Sequence, residues 1–135
     1  MTAKVERYLA KARESLASAR ADLDADRFNS AANRAYYAAF QAAVAMLLES
    51  GVRPGGDSWE HKFVIAEFSG TLVSRRKIIA GRFRGTLGAL FDIRVIADYQ
   101  TRDVSQRQAR KALSQASELV GEVQQRLRLE ESDGG

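Results

Sequence analysis

Ala31-Ala-Asn-Arg-Ala-Tyr-Tyr-Ala-Ala-Phe-Gln-Ala-Ala-Val-Ala-Met-Leu-Leu48 is the stretch that decides the fold. Ala, Leu, Met and Gln lose little conformational freedom on entering a helix, so the run is strongly helix-forming. A surface helix carries one apolar stripe and one polar face. From Ala35 to Leu48 the only strongly polar residue is Gln41, so apolar groups occupy nearly every side. The sequence therefore places this helix in the middle of a bundle, with neighbours around it. Its polar groups gather near its start: Asn33, Arg34, and the hydroxyls of Tyr36 and Tyr37. Burying such groups without partners costs free energy, so other helices must supply partners or leave a wet pocket there.

Outward from that helix, the flanking segments read as its cover. The first helix is expected over about Ala3 to Asp26, where Val5, Leu9, Ala12, Leu16, Ala19 and Leu23 alternate spacings of four and three. That is a heptad seam, with one face for a partner helix. The last helix, about Ser105 to Leu129, repeats the seam with Ala109, Leu113, Ala116, Val120, Val123 and Leu127. Ser105 with Gln108 forms a capping-box pattern at its start. Asp26 or Asn29 is expected to cap the central helix, and Gly51 is placed as its left-handed stop. A loop around the single proline, Pro54, leads to a short helix capped by Ser58 and ended by Gly70, with Trp59, Phe63, Ile65, Ala66 and Phe68 as its contacts. Ser74 is read as the cap of a long helix from about Arg75 to Tyr99, with Ile79, Phe83, Leu87, Leu90 and Phe91 on one face. Gly81, Gly85 and Gly88 in that segment cost helix stability, allow a break near Gly81, and leave room for another helix to approach. Period-two runs of β-branched residues are missing, so no strands are expected. The prediction is an all-α antiparallel bundle of four long helices plus one short helix, one domain over residues 1–131, with a disordered tail at 132–135.

The chain has 135 residues and no cysteine, which removes disulfides, thiolate-ligated zinc and thiol catalysis and fits a reducing cytoplasm. No run is long and apolar enough for a membrane span, and the opening residues lack the apolar core of a signal peptide. Lys plus Arg total 21 against 17 for Asp plus Glu, a formal charge of +4 that is almost all arginine in its excess. Arginine suits phosphate and RNA contacts, and ordinary solubility charge is the competing reading. The basic groups cluster at Arg75-Arg76-Lys77 with Arg82 and Arg84, and at Arg107, Arg110 and Lys111, either of which is a solvated helix face or a polyanion contact.

The residues able to carry chemistry are few. Extending the apolar face of the fourth long helix by one turn from Leu90 and Phe91 reaches Arg94, and another turn reaches Asp98, next to Tyr99. A guanidinium and a carboxylate on an inward face are either an internal ion pair fixing helix register or part of a site. His61 is the only histidine, in the first turn of the short helix, and is either a capping or surface group, a proton carrier, or a phosphate contact. One histidine without a cluster of further ligands gives no metal site. Tyr36 and Tyr37 point about 100° apart on a helix, so one can pack inward while the other reaches the rim. Pro54-Gly-Gly56 lacks the strand and the Lys-Ser/Thr of a phosphate loop.

Taken together, Asn33-Arg-Ala-Tyr-Tyr-Ala-Ala-Phe40, the loop followed by His61-Lys62, Arg94-Val-Ile-Ala-Asp-Tyr99, and Val104-Ser105 opening an Ala-rich helix resemble the HEPN family, specifically its small stand-alone prokaryotic branch. The resemblance runs from about Asp22 to Val123. It implies a helical bundle, usually a homodimer, often encoded beside a minimal nucleotidyltransferase antitoxin. Active members are metal-independent ribonucleases with an arginine followed by four to six residues and a histidine, placed so that two protomers form one cleft. Arg94 matches the motif arginine, whereas Tyr99, Gln100 and Thr101 stand where the histidine would be.

The expected function is thus a HEPN toxin-type component of a two-gene pair with a nucleotidyltransferase, cytoplasmic and acting on RNA, with endoribonuclease activity open because the motif histidine is missing. Arg94, Asp98 and Tyr99 are the catalytic candidates, and Asn33, Arg34, Tyr36, Tyr37 and His61 the binding candidates. No cofactor and no metal are expected. The alternatives are a non-catalytic module that binds a nucleotide or a partner protein, and a purely structural helical subunit.

Overall fold

A computed structural model describes the backbone of residues 1–134 and the side chains of residues 1–128. Five α-helices form the bundle: α1 (Ala3–Asp24), α2 (Phe28–Glu49), α3 (His61–Glu67), α4 (Thr86–Tyr99) and α5 (Gln106–Gly134). Among the described residues there is no strand. The tail expected at 132–135 lies outside the residues whose side chains are described.

α2 is the axis of the structure. From Ala35 to Leu47 all its residues except Tyr37 and Gln41 are buried. It packs against α1, α5 and α4 in decreasing order of contact, and α3 touches it as well. The three-residue turn between α1 and α2 makes that pair antiparallel, and the contact of Ser15 with Gln41 follows from it. The seam expected on α1 buries Val5, Leu9, Ala12 and Ala19, with Leu16 and Leu23 only partly covered. Ser15 takes a buried place instead because its hydroxyl meets the Gln41 side chain at 2.8 Å. On α5, Ala109, Ala116, Val120, Val123 and Leu127 are buried, joined by Ala112 and Leu119.

The helix ends divide between foreseen and unforeseen. The capping box holds: Gln108 N–H donates to Ser105 Oγ at 3.1 Å, and Ser105 N–H to Gln108 Oε1 at 3.0 Å. Gly51, at φ 86°, closes α2 with Gly51 N–H donating to Leu48 O and Val52 N–H to Leu47 O. At the other end of α2, neither Asp26 nor Asn29 is the cap. The cap position is Arg27, without a side-chain bond. Asp26 turns the chain at φ 60°, a conformation aspartate tolerates. Asp22 ties the same turn by accepting from Arg27 Nε at 2.9 Å and Ser30 Oγ at 2.6 Å. Burial alone would raise its pKa, but these bonds hold the carboxyl below its ordinary value.

The middle of the chain departs most from expectation. Ser58 does not cap α3, whose cap position is Glu60, and Gly70 does not end the helical path. The chain continues into a π-helical stretch, Phe68–Arg75. Here Gly70 leaves room for the Arg75 guanidinium, which a Cβ at that position would meet at 3.2 Å. Ser74 caps nothing and instead accepts from Arg84 Nε at 3.1 Å. The long helix expected from Arg75 is broken by Lys77 at φ 55° and resumes through a 3₁₀ turn, Gly81–Phe83, before α4 starts at Thr86. Gly81 and Gly85 therefore lie outside α4, and no glycine stripe forms on it. Ile79, Phe83, Leu87 and Leu90 are buried nonetheless, so the apolar residues were read correctly and the continuity of their helix was not.

Two clusters make the core. The larger runs along α2 to Leu47 and includes the α3 and π-helical residues Val64, Phe68 and Leu72. The smaller, Ala31, Ala32, Ile96, Val104 and Ala109, clamps the end of α4 and the start of α5 onto the start of α2. Asn29 reinforces this clamp, accepting from Val104 N–H at 2.8 Å and donating to Asp103 at 3.0 Å.

Opposite signs are expected for two glycine substitutions. Gly51→Ala forces a side chain into a left-handed backbone and should destabilise by about 1 kcal/mol. Gly121→Ala, in open space on α5, should stabilise by up to about 1 kcal/mol. A urea midpoint for Gly51→Ala that does not fall would contradict the assignment of Gly51 as the α2 stop.

Candidate functional site

The small clamp brings the last turns of α4 over the first turns of α2, and this stacks the polar exceptions of both helices. Arg94 lies on α4 with a side chain only 12 % exposed. Its Nε donates to Asp98 Oδ2 at 3.0 Å, and its Nη2 donates to the Tyr99 hydroxyl at 3.2 Å. Asn33 of α2 donates its amide to both oxygens of Asp98, at 3.2 and 2.9 Å. Arg34 then donates to Asn33 Oδ1 from Nε at 2.9 Å and from Nη2 at 2.7 Å. A chain of hydrogen bonds therefore runs Arg34–Asn33–Asp98–Arg94–Tyr99 across two helices.

Aromatic rings surround the guanidinium. Arg94 Cζ lies 5.4 Å from the ring centres of Tyr37 and Tyr99, 5.8 Å from Tyr36 and 6.0 Å from Phe91. A cation near ring faces gains attraction from their quadrupoles, more so where water is scarce. Three of these rings, with Phe40, also meet His61. Its ring centre is 5.0 Å from Phe40, 5.5 Å from Tyr36, 5.8 Å from Phe91 and 6.0 Å from Tyr37. The Tyr36 hydroxyl and His61 Nδ1 are 2.6 Å apart. Tyr36 is fully buried, and burial, then the neighbouring Tyr37, pushes its phenol well above the ordinary range. Burial and then the Arg94 charge hold His61 below its ordinary value, so the imidazole is neutral at pH 7.

All eight residues singled out from the sequence thus join one cluster, with Arg94 largely covered and Asp98 at the exposed edge of α4 rather than facing inward. Two features were not read from the sequence. The Tyr36–His61 bond couples positions 25 apart in the chain, and no local spacing signals it. Phe40 and Phe91 complete the cage, and the signal for them was present: Phe40 is one helical turn after Tyr36, and Phe91 one turn before Arg94. The basic run around Arg75 is not part of the site. Arg75 engages Thr71, Arg76 the Ser50 carbonyl, Arg82 Glu118 and Arg84 Ser74. A cavity of about 790 Å³ adjoins the cage through Phe40 and is bounded further by Lys4, Tyr8, Arg53 and Trp59. Among the described residues no three His, Cys, Asp or Glu side chains gather at metal-binding distance, and no helix is long and apolar enough to cross a membrane.

A family model described as the HEPN domain matches residues 5–127. No curated protein matches the chain.

The lowered pKa of His61 has a consequence for stability. Because the folded-state pKa lies below the unfolded one, the unfolded chain takes up its proton first as pH falls. The contribution is intact above the unfolded pKa and is lost as pH drops through the folded value. Wild type should therefore lose more unfolding free energy than His61→Gln between about pH 7 and about pH 5. Equal losses in denaturant titrations would contradict the burial of a neutral imidazole.

Proposed function

Because this chain belongs to the HEPN domain family, we propose that it acts on RNA through the cluster centred on Arg94. Arg94 contacts a phosphate, and Asp98 with Asn33 behind it holds the guanidinium in place. Tyr99 offers its ring to a base and its hydroxyl to a ribose. One observation carries this reading. Two nitrogens of Arg94 are fixed by Asp98 and Tyr99, while Nη1 has no partner among the described residues and is not sealed from solvent. A planar guanidinium already oriented gives up little further freedom on meeting a phosphate oxygen, and charge-assisted bonds of this kind are the strong ones. The ring of Tyr99, 71 % exposed, adds a stacking platform beside it.

The biological setting that fits is the HEPN half of a two-gene toxin–antitoxin pair with a nucleotidyltransferase, in the cytoplasm. A homodimer joining two copies of the exposed Tyr99 surface would turn an open face into a cleft. Cleavage, where it occurs, is metal-independent: the ribose 2′-oxygen bonds to the adjacent phosphorus and gives its proton to water, the P–O5′ bond breaks and the 5′-oxygen takes a proton from water, leaving a 2′,3′-cyclic phosphate and a 5′-hydroxyl, with Arg94 offsetting the charge that develops. One observation favours the second reading, a non-catalytic module binding a nucleotide or a partner. Tyr99 stands where the motif histidine would be, so this position supplies a hydroxyl in place of an imidazole base.

Incubation of the purified protein with RNA, in parallel with Arg94→Ala, separates these readings. Loss of one charge-assisted contact should weaken RNA binding by roughly 10- to 100-fold, and any cleavage should fall with it. Binding without cleavage by the wild type selects the second reading. Undiminished binding by Arg94→Ala would remove the site altogether, and sedimentation giving only monomer at high concentration would remove the shared cleft.

A further inference from the structure

The Tyr36–His61 contact decides which nitrogen of the imidazole carries the proton. Tyr36 is fully buried, and its hydroxyl has His61 Nδ1 as its only partner among the described residues, at 2.6 Å. A buried O–H left without an acceptor is costly, so the phenol must donate, and Nδ1 must accept with its lone pair. In a neutral imidazole the proton then sits on Nε2. That Nε2–H has no partner among the described residues and is not sealed from solvent. His61 also shares three rings with Arg94: Tyr36, Tyr37 and Phe91. The unpartnered donors Arg94 Nη1 and His61 Nε2–H therefore flank one aromatic platform, with the Arg34 guanidinium 5.2 Å from the Tyr37 ring beside them.

We propose that His61 is the second phosphate-recognising group of this site, a neutral donor from Nε2–H whose tautomer Tyr36 fixes, acting beside Arg94 on a phosphate of single-stranded RNA. This rests on the reading of the site as RNA-directed. His61 is here a binding residue and Tyr36 a positioning residue. The arrangement differs from a general base, because the nitrogen that could accept a proton is already occupied by the phenol. A donor can be replaced by another donor, whereas a base cannot be replaced by an amide. Glutamine places an N–H close to where Nε2–H stands, so it separates the two roles.

The test uses the full chain, a short fluorescent single-stranded RNA, and wild type, His61→Ala, His61→Gln, Tyr36→Phe and Arg94→Ala. His61→Ala should bind roughly tenfold more weakly, and His61→Gln should recover most of that loss. His61 is the only histidine, so imidazole nitrogen NMR reads it without overlap. The wild-type spectrum should report protonated Nε2 and unprotonated Nδ1, Tyr36→Phe should mix the tautomers, and added RNA should shift the Nε2–H signal. A proton on Nδ1, an Nε2–H signal unmoved by RNA, or His61→Gln binding as weakly as His61→Ala would each overturn the proposal. If Arg94→Ala weakens binding while His61→Ala does not, only the role of His61 falls. If the wild type does not bind RNA at all, the RNA-directed reading falls and this proposal with it.

Discussion

A helix buried on most of its circumference has to be wrapped, and the wrapping of α2 governs this molecule. Ala-rich stretches let neighbouring helices come close, and α1, α5 and α4 do so on successive sides of α2. The seams of α1 and α5 are complementary to that need, each presenting small and branched residues in alternation. Because interiors are close-packed, the positions of the surrounding helices are then fixed to within what their side chains allow. The small cluster of Ala31, Ala32, Ile96, Val104 and Ala109 is the part of this packing that matters for chemistry. It sets the height of α4 along α2, and with it the alignment of Arg94 and Asp98 over Asn33 and Tyr36.

That alignment explains why polar residues are tolerated inside an otherwise apolar bundle. Asp98 would be an expensive group to half-bury alone, yet Asn33 donates to both of its oxygens and Arg94 adds a charged donor. Tyr36 would be equally expensive without His61. Each group satisfies the next, so the cluster is a network whose members depend on one another. The loop and π-helical stretch on either side of α3 have a clear structural role in this. They carry His61 to the face of Tyr36, and Phe68 and Leu72 anchor α3 in the core from below.

Much of the fold could be read because periodicity and capping are local. The seams of α1 and α5, the Ser105 capping box and the Gly51 stop all follow from residues within a turn of one another. The failures share a cause. Asp26 and Asn29 look like caps, but Asn29 is taken by Val104 and Asp103 from the α4–α5 loop. Ser74 looks like a cap, but Lys77 turns left-handed and the helix does not start there. Gly70 looks like a stop, but its missing side chain is used for the Arg75 guanidinium. In each case a competing contact or backbone turn, long-range for Asn29 and nearby for Ser74 and Gly70, overrode the simple capping or stop preference. The site divides in the same way. Arg94, Asp98 and Tyr99 share one helix and were legible from spacing. The bond between Tyr36 and His61 bridges separate elements and was not.

Charge and proton placement together bear on what this face can hold. In the hydrogen-bonded chain, the guanidinium groups of Arg34 and Arg94 outnumber the single carboxylate of Asp98, so the network keeps net positive charge. The imidazole beside it stays neutral, since a second cation near Arg94 would have to be paid for in a partly dry setting. The result is a surface with two guanidinium groups, one neutral imidazole and exposed aromatic area. Under the proposed reading, a phosphodiester, with one negative charge between a ribose and a base, would present anionic, polar and flat apolar surface to these groups.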